Sequence, residues 1–384
     1  MALPPIPISP EKSGSDNTSG EPGKKRERSW RSWLVLVVLA LLIVLTLLGG
    51  QWLGRKQNSM LPGRPLSYPQ THLHTVVLSP RAGVVYLGTH YGLFTSTDGG
   101  RSWPQNQGAL NTSMITAVAA SPGNPDLLAV LAIPTSGLSG QMGVYVSANA
   151  GRDWHLSTPA GLSTTAYPYT ILSAPGAGGR FYVFFNYAGW FETRDLGQHW
   201  QAITSGSLSN IQTPSLLVDP AQPEHLLLGG DLGLFETRDD GQSWQQIKGV
   251  SGNVLALVAT EPAGKAPRTV FAATDQGLYR WQDQPNSGEQ ADIISLTSLP
   301  ASPAPTHLEL SADGRSLYAL FGSDLWLSSD QGNTWRRLWH FTRGDMVSLI
   351  LNPDNPRELL AGFFAPALVL MSTDAGTSWQ TLTY

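Results

Sequence analysis

Ser-Thr-Asp-Gly-Gly-Arg-Ser-Trp, residues 96–103, recurs five more times along the chain with small changes. It returns as Ser-Ala-Asn-Ala-Gly-Arg-Asp-Trp at 147–154, Thr-Arg-Asp-Leu-Gly-Gln-His-Trp at 193–200 and Thr-Arg-Asp-Asp-Gly-Gln-Ser-Trp at 237–244. Two further copies read Ser-Ser-Asp-Gln-Gly-Asn-Thr-Trp at 328–335 and Ser-Thr-Asp-Ala-Gly-Thr-Ser-Trp at 372–379. The closing tryptophans, Trp103, Trp154, Trp200, Trp244, Trp335 and Trp379, are separated by 51, 46, 44, 91 and 44 residues. The interval of 91 is twice the others, so one unit is hidden inside it. Residues 269–283, Thr-Val-Phe-Ala-Ala-Thr-Asp-Gln-Gly-Leu-Tyr-Arg-Trp-Gln-Asp, keep the unit's strands and lose its octet, which makes seven units.

A fixed period of this length marks a repeat architecture. Each unit carries an apolar strand before a turn, as in Thr-Val-Val-Leu-Ser-Pro at 75–80, and a second strand, as in Val-Val-Tyr-Leu-Gly-Thr at 84–89. A third strand with Gly-Leu-Phe leads into the octet, whose tryptophan opens a fourth. Four short strands per period of about 45 residues describe a blade, not a helical solenoid. The expected fold is all-β, a seven-bladed β-propeller of four-stranded antiparallel blades over residues 74–384.

The octet's residue types follow from the needs of a tight turn. The acid at position three (Asp98, Asp195, Asp239, Asp330, Asp374) can accept amide hydrogens of its own turn, and Asn149 in the second copy can do the same. Glycine at position five supplies a positive φ without steric cost. The tryptophan is placed to pack between blades. Identical turns on every blade cannot converge on one substrate, so these residues read as structural. The octet resembles the Asp-box of the bacterial neuraminidase repeat superfamily, which includes sialidases, sortilin ectodomains, xyloglucanases and the photosystem II assembly factor family. The last is most similar in layout. The resemblance implies a structural box remote from any site. It also implies an arginine patch, whereas Arg194 and Arg238 recur only inside the octet.

Composition narrows the function. The 40 glycines and 28 prolines fit a turn-rich chain, and 13 tryptophans supply a core. There is no cysteine, which excludes disulfides and cysteine-ligated metal or haem. The net charge is -4, and after Lys56 no basic cluster of the kind a phosphate backbone requires is present, so nucleic acid is not an expected partner. Residues 1–32 are a polar tail ending in a basic cluster, expected to be disordered and cytoplasmic. Residues 33–53 carry fifteen consecutive positions, 34–48, that are apolar apart from Thr46, with Trp30, Trp33 and Trp52 at the ends. Twenty-one residues of helix span about 30 Å, the thickness of a bilayer's hydrocarbon core. The excess of positive charge before the segment places the N-terminus in the cytoplasm, 54–73 as a linker, and the propeller outside. A cleaved signal peptide is the competing reading, with an unusually long leading region and poor cleavage sites.

A binding surface is expected on the face that carries the loops between second and third strands. The candidates there are His90, Tyr91, Tyr187, Trp190, Asp231, Asp275, Asp324, Phe363 and Phe364. Tyr167 and Tyr169, in a neighbouring connection, join the aromatic group. Aromatic rings suit a sugar or a peptide anchor, and the three acids lie on consecutive blades. His72 and His74 alternate along the first strand without an evident third ligand, so no metal and no cofactor is expected. The primary reading is a monomeric, non-catalytic, membrane-anchored scaffold for a protein or glycan. The alternative is a sialidase-like or xyloglucanase-like glycoside hydrolase using carboxylates of the same face, with Asp231 and Asp275 as the pair to test.

Overall fold

In the computed structural model the described residues are 66, 68, 70–106, 108, 110–135, 140–176, 178–212, 214–260, 268–283, 292–293 and 304–382. The chain divides into a unit Met1–Ser59 and a unit Met60–Tyr384, and the fold is that of the second. The expected tail, membrane span and first part of the linker lie outside the described residues. Among those described, no helix is long and apolar enough to cross a membrane.

Seven antiparallel sheets follow one another along the sequence, at 73–96, 113–156, 167–202, 215–246, 254–293, 305–340 and 346–381. This is a seven-bladed propeller. Second strands such as Leu128–Pro134 and Leu359–Phe363 are continuous apolar runs because both faces of every blade are covered. Fourth strands such as His155–Leu156, Gln201–Ala202 and Gln245–Gln246 are two residues long and exposed, which marks the outer rim. The hidden fifth unit is a real blade, with strands Arg268–Thr274 and Gly277–Asp283 at its centre. The first blade departs from the expected four strands. Its sheet has three, and the fourth is reduced to a single bridge between Phe94 and Gln105. Pro104 directly follows Trp103, and a residue without an N–H cannot begin a ladder there.

The core is seven separate interfaces, each joining one face of a blade to the opposite face of the next. Trp154, Trp200, Trp244, Trp335 and Trp379 each pack into the interface with the preceding blade, and Trp103 into the interface between blades 7 and 1. Trp200 Nε1 donates to Ser157 Oγ at 3.0 Å and Trp244 Nε1 to the carbonyl of Ile203 at 2.8 Å, both across a blade boundary. In the decayed unit, Trp281 on the third strand fills the interface between blades 4 and 5.

The octet is a self-contained turn. Ser96 Oγ accepts the Gly100 amide at 2.8 Å, Asp98 Oδ1 accepts the Ser102 amide at 2.9 Å, and Ser102 Oγ donates to Asp98 Oδ2 at 2.7 Å. In the second copy Asn149 Oδ1 takes the Asp153 amide at 2.9 Å while Asn149 Nδ2 donates to Asp153 Oδ2 at 2.7 Å. The change of acid to amide at position three is matched by an acid at position seven. Hydrogen bonds to the carboxylate from His199 and Ser378 hold Asp195 and Asp374 at about 2, so both are ionised acceptors used up by their own turns. Positive φ extends to position four, at Ala150, Leu196, Asp240, Gln331 and Ala375, where the sequence carries no glycine.

Among the described residues, ring closure uses no exchanged strand. The first strands of blades 1 and 7 pack together. Leu73 N donates to the Phe364 carbonyl at 2.8 Å, Val76 N to Ser348 Oγ at 3.0 Å and Ala367 N to the Thr71 carbonyl at 3.0 Å. Gly362 is required at this seam, because a Cβ there would lie 2.6 Å from Val76 Cγ2 and 2.9 Å from Leu73 Cδ2.

Candidate binding face

The connections between second and third strands meet the connections that precede first strands on one face. The amide after a second strand repeatedly donates to the residue before the first strand of the same blade. Examples are Asp231 N to Gln212 O at 3.2 Å, Asp275 N to Asn253 O at 3.1 Å and Phe364 N to Asp345 O at 2.9 Å.

Exposed apolar surface concentrates here. Six large hydrophobic side chains among the described residues are exposed, and five of them, Met142, Tyr167, Tyr169, Tyr187 and Leu232, sit on this face of blades 2, 3 and 4. Leu156 is the sixth, on the rim. Tyr187 is 64 % exposed. It occupies the third position of the turn 185–188, closed by Ala188 N to Phe185 O at 3.0 Å, with φ 65°. That position favours glycine or asparagine, and a bulky residue there costs of order 1 kcal/mol. The strain holds an aromatic ring out in water. Tyr169 stands edge-on to the core ring of Phe184 at 6.3 Å, and burial followed by the influence of Tyr167 raises its phenol. The Tyr167 phenol is likewise raised by burial and then by the nearby Tyr187.

Two candidates are withdrawn from the face. Trp190 and Phe363 are in the core, between blades 3 and 4 and between blades 6 and 7. Each lies within a strand, Gly189–Thr193 or Leu359–Phe363, and in a propeller both faces of a strand point at a neighbouring blade. The three acids also differ from one another. Asp231 Oδ1 accepts the Gln212 amide at 2.6 Å and Asp275 Oδ1 the Asn253 amide at 2.9 Å, so both clamp their own loops. Asp324 instead pairs with His340 at 2.7 Å and Arg337 at 3.7 Å.

His90, Tyr91 and Phe364 belong to a second group at the ring-closing seam. The His72 ring is 4.7 Å from Phe364 and 5.7 Å from His90, and the His74 ring is 5.7 Å from Phe364 and 6.3 Å from His90. Tyr91 stands edge-on to His90 at 5.2 Å and to Tyr68 at 5.8 Å. His74 is the extra residue of a bulge between Leu73 and Thr75, and its Nε2 is buried without a hydrogen-bond partner. Burial, then His90 and His72, lowers its imidazole to about 3. The unfolded chain takes that proton near 6.5 and the folded chain does not, so stability is lost as pH falls below about 6.5. His74→Leu is expected to remove this acid sensitivity, worth about 2 kcal/mol by pH 5. Hydrogen exchange of Leu73–Leu78 at pH 7 and pH 5 checks it, and the same pH response in both proteins counts against this account.

Sequence reading missed a buried ionic cluster between blades 4 and 5. His225 Nε2 lies 2.8 Å from Glu236, Arg238 Nη2 3.0 Å from Asp283, and Arg268 Nε 2.7 Å from Asp283 and 3.6 Å from Asp219. Asp219, His225 and Asp283 have the spacing of a metal donor set. Arg268 already stands against the two carboxylates, so a guanidinium supplies the positive charge there. A related cluster of Arg180, Glu192, Arg194 and Asp240 joins blades 3 and 4. Arg194 and Arg238 are therefore engaged in ion pairs.

No family model and no curated protein matches the chain. Solved structures do. A GH74 xyloglucanase from Xanthomonas campestris is 17% identical with a TM-score of 0.61, covering 85% of this chain and 55% of the enzyme. The chain thus spans about half the length of that protein. YCF48 from Cyanidioschyzon merolae is 15% identical with a TM-score of 0.59, covering 79% of this chain and 96% of that one. YCF48 bound to D1 peptide is 15% identical with a TM-score of 0.58, covering 83% and 98%. At these identities the likeness establishes the propeller fold, shared by hydrolases and by a peptide-binding protein.

Proposed function

We propose that the chain is a membrane-anchored, extracytoplasmic propeller that binds a protein partner through the face of blades 2 to 4 and catalyses no reaction. The observation that carries this reading is the concentration of exposed Tyr167, Tyr169, Tyr187, Met142 and Leu232 on one face. Exposed apolar side chains gathered on one face of a folded domain mark an interaction site. Exposed tyrosines provide large contact area at small entropic cost. The apolar segment 33–53 and the basic cluster before it support the anchor and its orientation. A solved propeller of the same fold holds a peptide, so the fold can serve a protein partner. Carboxylates committed to their own turns or loops, as at Asp374 and Asp231, are poorly placed to serve as a hydrolytic pair.

A photo-crosslinking side chain at position 187 of the full-length chain, expressed in membranes, tests the reading. A discrete protein adduct is expected from 187 and none from position 156 on the rim. Adducts of equal yield from both positions, or sugar released from polysaccharide by the purified chain, would overturn it.

A further inference from the structure

The charge beside the tyrosine patch points to the chemistry of the partner, an inference that rests on the binding reading above. Asp231 adjoins the exposed Leu232 at the edge of the patch, and Asp275 holds the same place on the next blade. Each binds its loop amide through Oδ1. Among the described residues neither forms an ion pair, and neither Oδ2 has a described partner. The acids further round the face stand against guanidinium groups, Asp324 at 3.7 Å from Arg337 and Asp345 beside Arg343. Exposed Lys248 follows the outermost strand of blade 4 and is not paired with either carboxylate among the described residues. Among the described residues, two carboxylates without an ion pair therefore lie beside the exposed apolar side chains on this face.

We propose that the face takes an extended peptide segment whose aromatic or aliphatic residues lie on Tyr167, Tyr169 and Tyr187 and whose lysine or arginine residues reach Asp231 and Asp275. Packed sheets are about 10 Å apart, so blade 3 to blade 5 is roughly 20 Å, the length of about six extended residues. The apolar anchor and the basic residues thus fall about three positions apart for Asp231 and about six for Asp275. A carbohydrate would use the rings and leave both carboxylates without a counter-charge.

The test uses the full-length chain in detergent and fluorescent ten-residue peptides. One carries three aromatic or aliphatic residues followed by three lysines; a second replaces the lysines with glutamates; a third replaces the apolar residues with serine. The first is expected to bind about tenfold tighter than the second, an energy of about 1.4 kcal/mol. Its affinity falls as salt is raised. The double variant Asp231→Asn/Asp275→Asn keeps the amide-accepting oxygens and removes the charge, and it is expected to erase the preference for lysine over glutamate. Equal binding of the lysine and glutamate peptides, or a preference that survives the double variant, overturns the inference. Loss of the apolar contribution in Tyr167→Ser/Tyr187→Asn, with no charge preference in the wild type, leaves the binding face standing and sinks the basic partner. No effect of the tyrosine variant on any peptide sinks both.

Discussion

Arg268→Met is expected to destabilise the propeller by about 3–5 kcal/mol. Arg268 is buried at the boundary of blades 4 and 5, against Asp283 at 2.7 Å and Asp219 at 3.6 Å. The cluster also holds Glu236, His225 and Arg238, each within ion-pair distance of another member. Taking two carboxylates out of water is tolerated here because cations sit among them. Methionine comes close in volume and removes the charge, so Asp219 and Asp283 keep their desolvation cost and lose the guanidinium they share. The contrast is Arg81, whose pair with Asp126 at 3.0 Å is about half exposed and screened by water. Arg81→Met is expected to cost less than about 1 kcal/mol. Urea midpoints of the full-length chain in detergent compare the two. A change at Arg268 no larger than at Arg81 would mean that the cluster is hydrated and that the blade boundary does not depend on it.

Glu309→Leu is expected to act in the other direction. Glu309 lies on the first strand of blade 6, opposite Tyr318, and its one hydrogen bond is a long contact of 3.4 Å from the Leu351 amide. The matching register position in the other blades is occupied by Val77, Ala119, Leu172, Leu217, Val258 and Ile350, all apolar. Burial pushes the carboxyl up from 4.5 to about 8, with the Leu351 contact opposing weakly. Below pH 4.5 both folded and unfolded chains carry the proton. Between 4.5 and 8 the unfolded chain releases it and the folded chain does not, so stability falls as pH rises through that window. At pH 7 the penalty is on the order of 3 kcal/mol. Leucine removes it, so the variant gains stability at pH 7 to 8 and is nearly unchanged at pH 4.5. Urea midpoints at those two pH values measure the difference, and a constant offset between the proteins would contradict the assignment. His74 has the opposite sign, losing stability toward acid.

The propeller was legible in sequence because its signal is local and repeated. Six octets, spaced by near-equal intervals, set the period, and one double interval placed the decayed unit at 269–283, where Arg268–Thr274 and Gly277–Asp283 form. Chemistry that depends on contacts between units was not legible. Ser348 and Val76 meet across the seam though 272 residues separate them, and no local pattern announces it. The same holds for Arg268 against Asp219 and for Phe364 against His72. Trp190 and Phe363 were misplaced for a related reason. An aromatic residue at a hairpin end has the same sequence signature whether its strand turns it toward water or toward the next blade. Tyr187 went outward because it sits in the turn itself, and Trp190 inward because it is already within Gly189–Thr193. The second positive φ in each octet was hidden because Ala150, Leu196 and Gln331 carry no mark of it.

Hydrogen–deuterium exchange on the full-length chain in membranes, with and without the protein captured at position 187, tests the working surface directly. Protection is expected in segments 140–144, 167–171 and 185–189, with the octet turns at 193–200 and 237–244 unchanged. Protection confined to those turns, on the opposite face of the blades, would contradict the account.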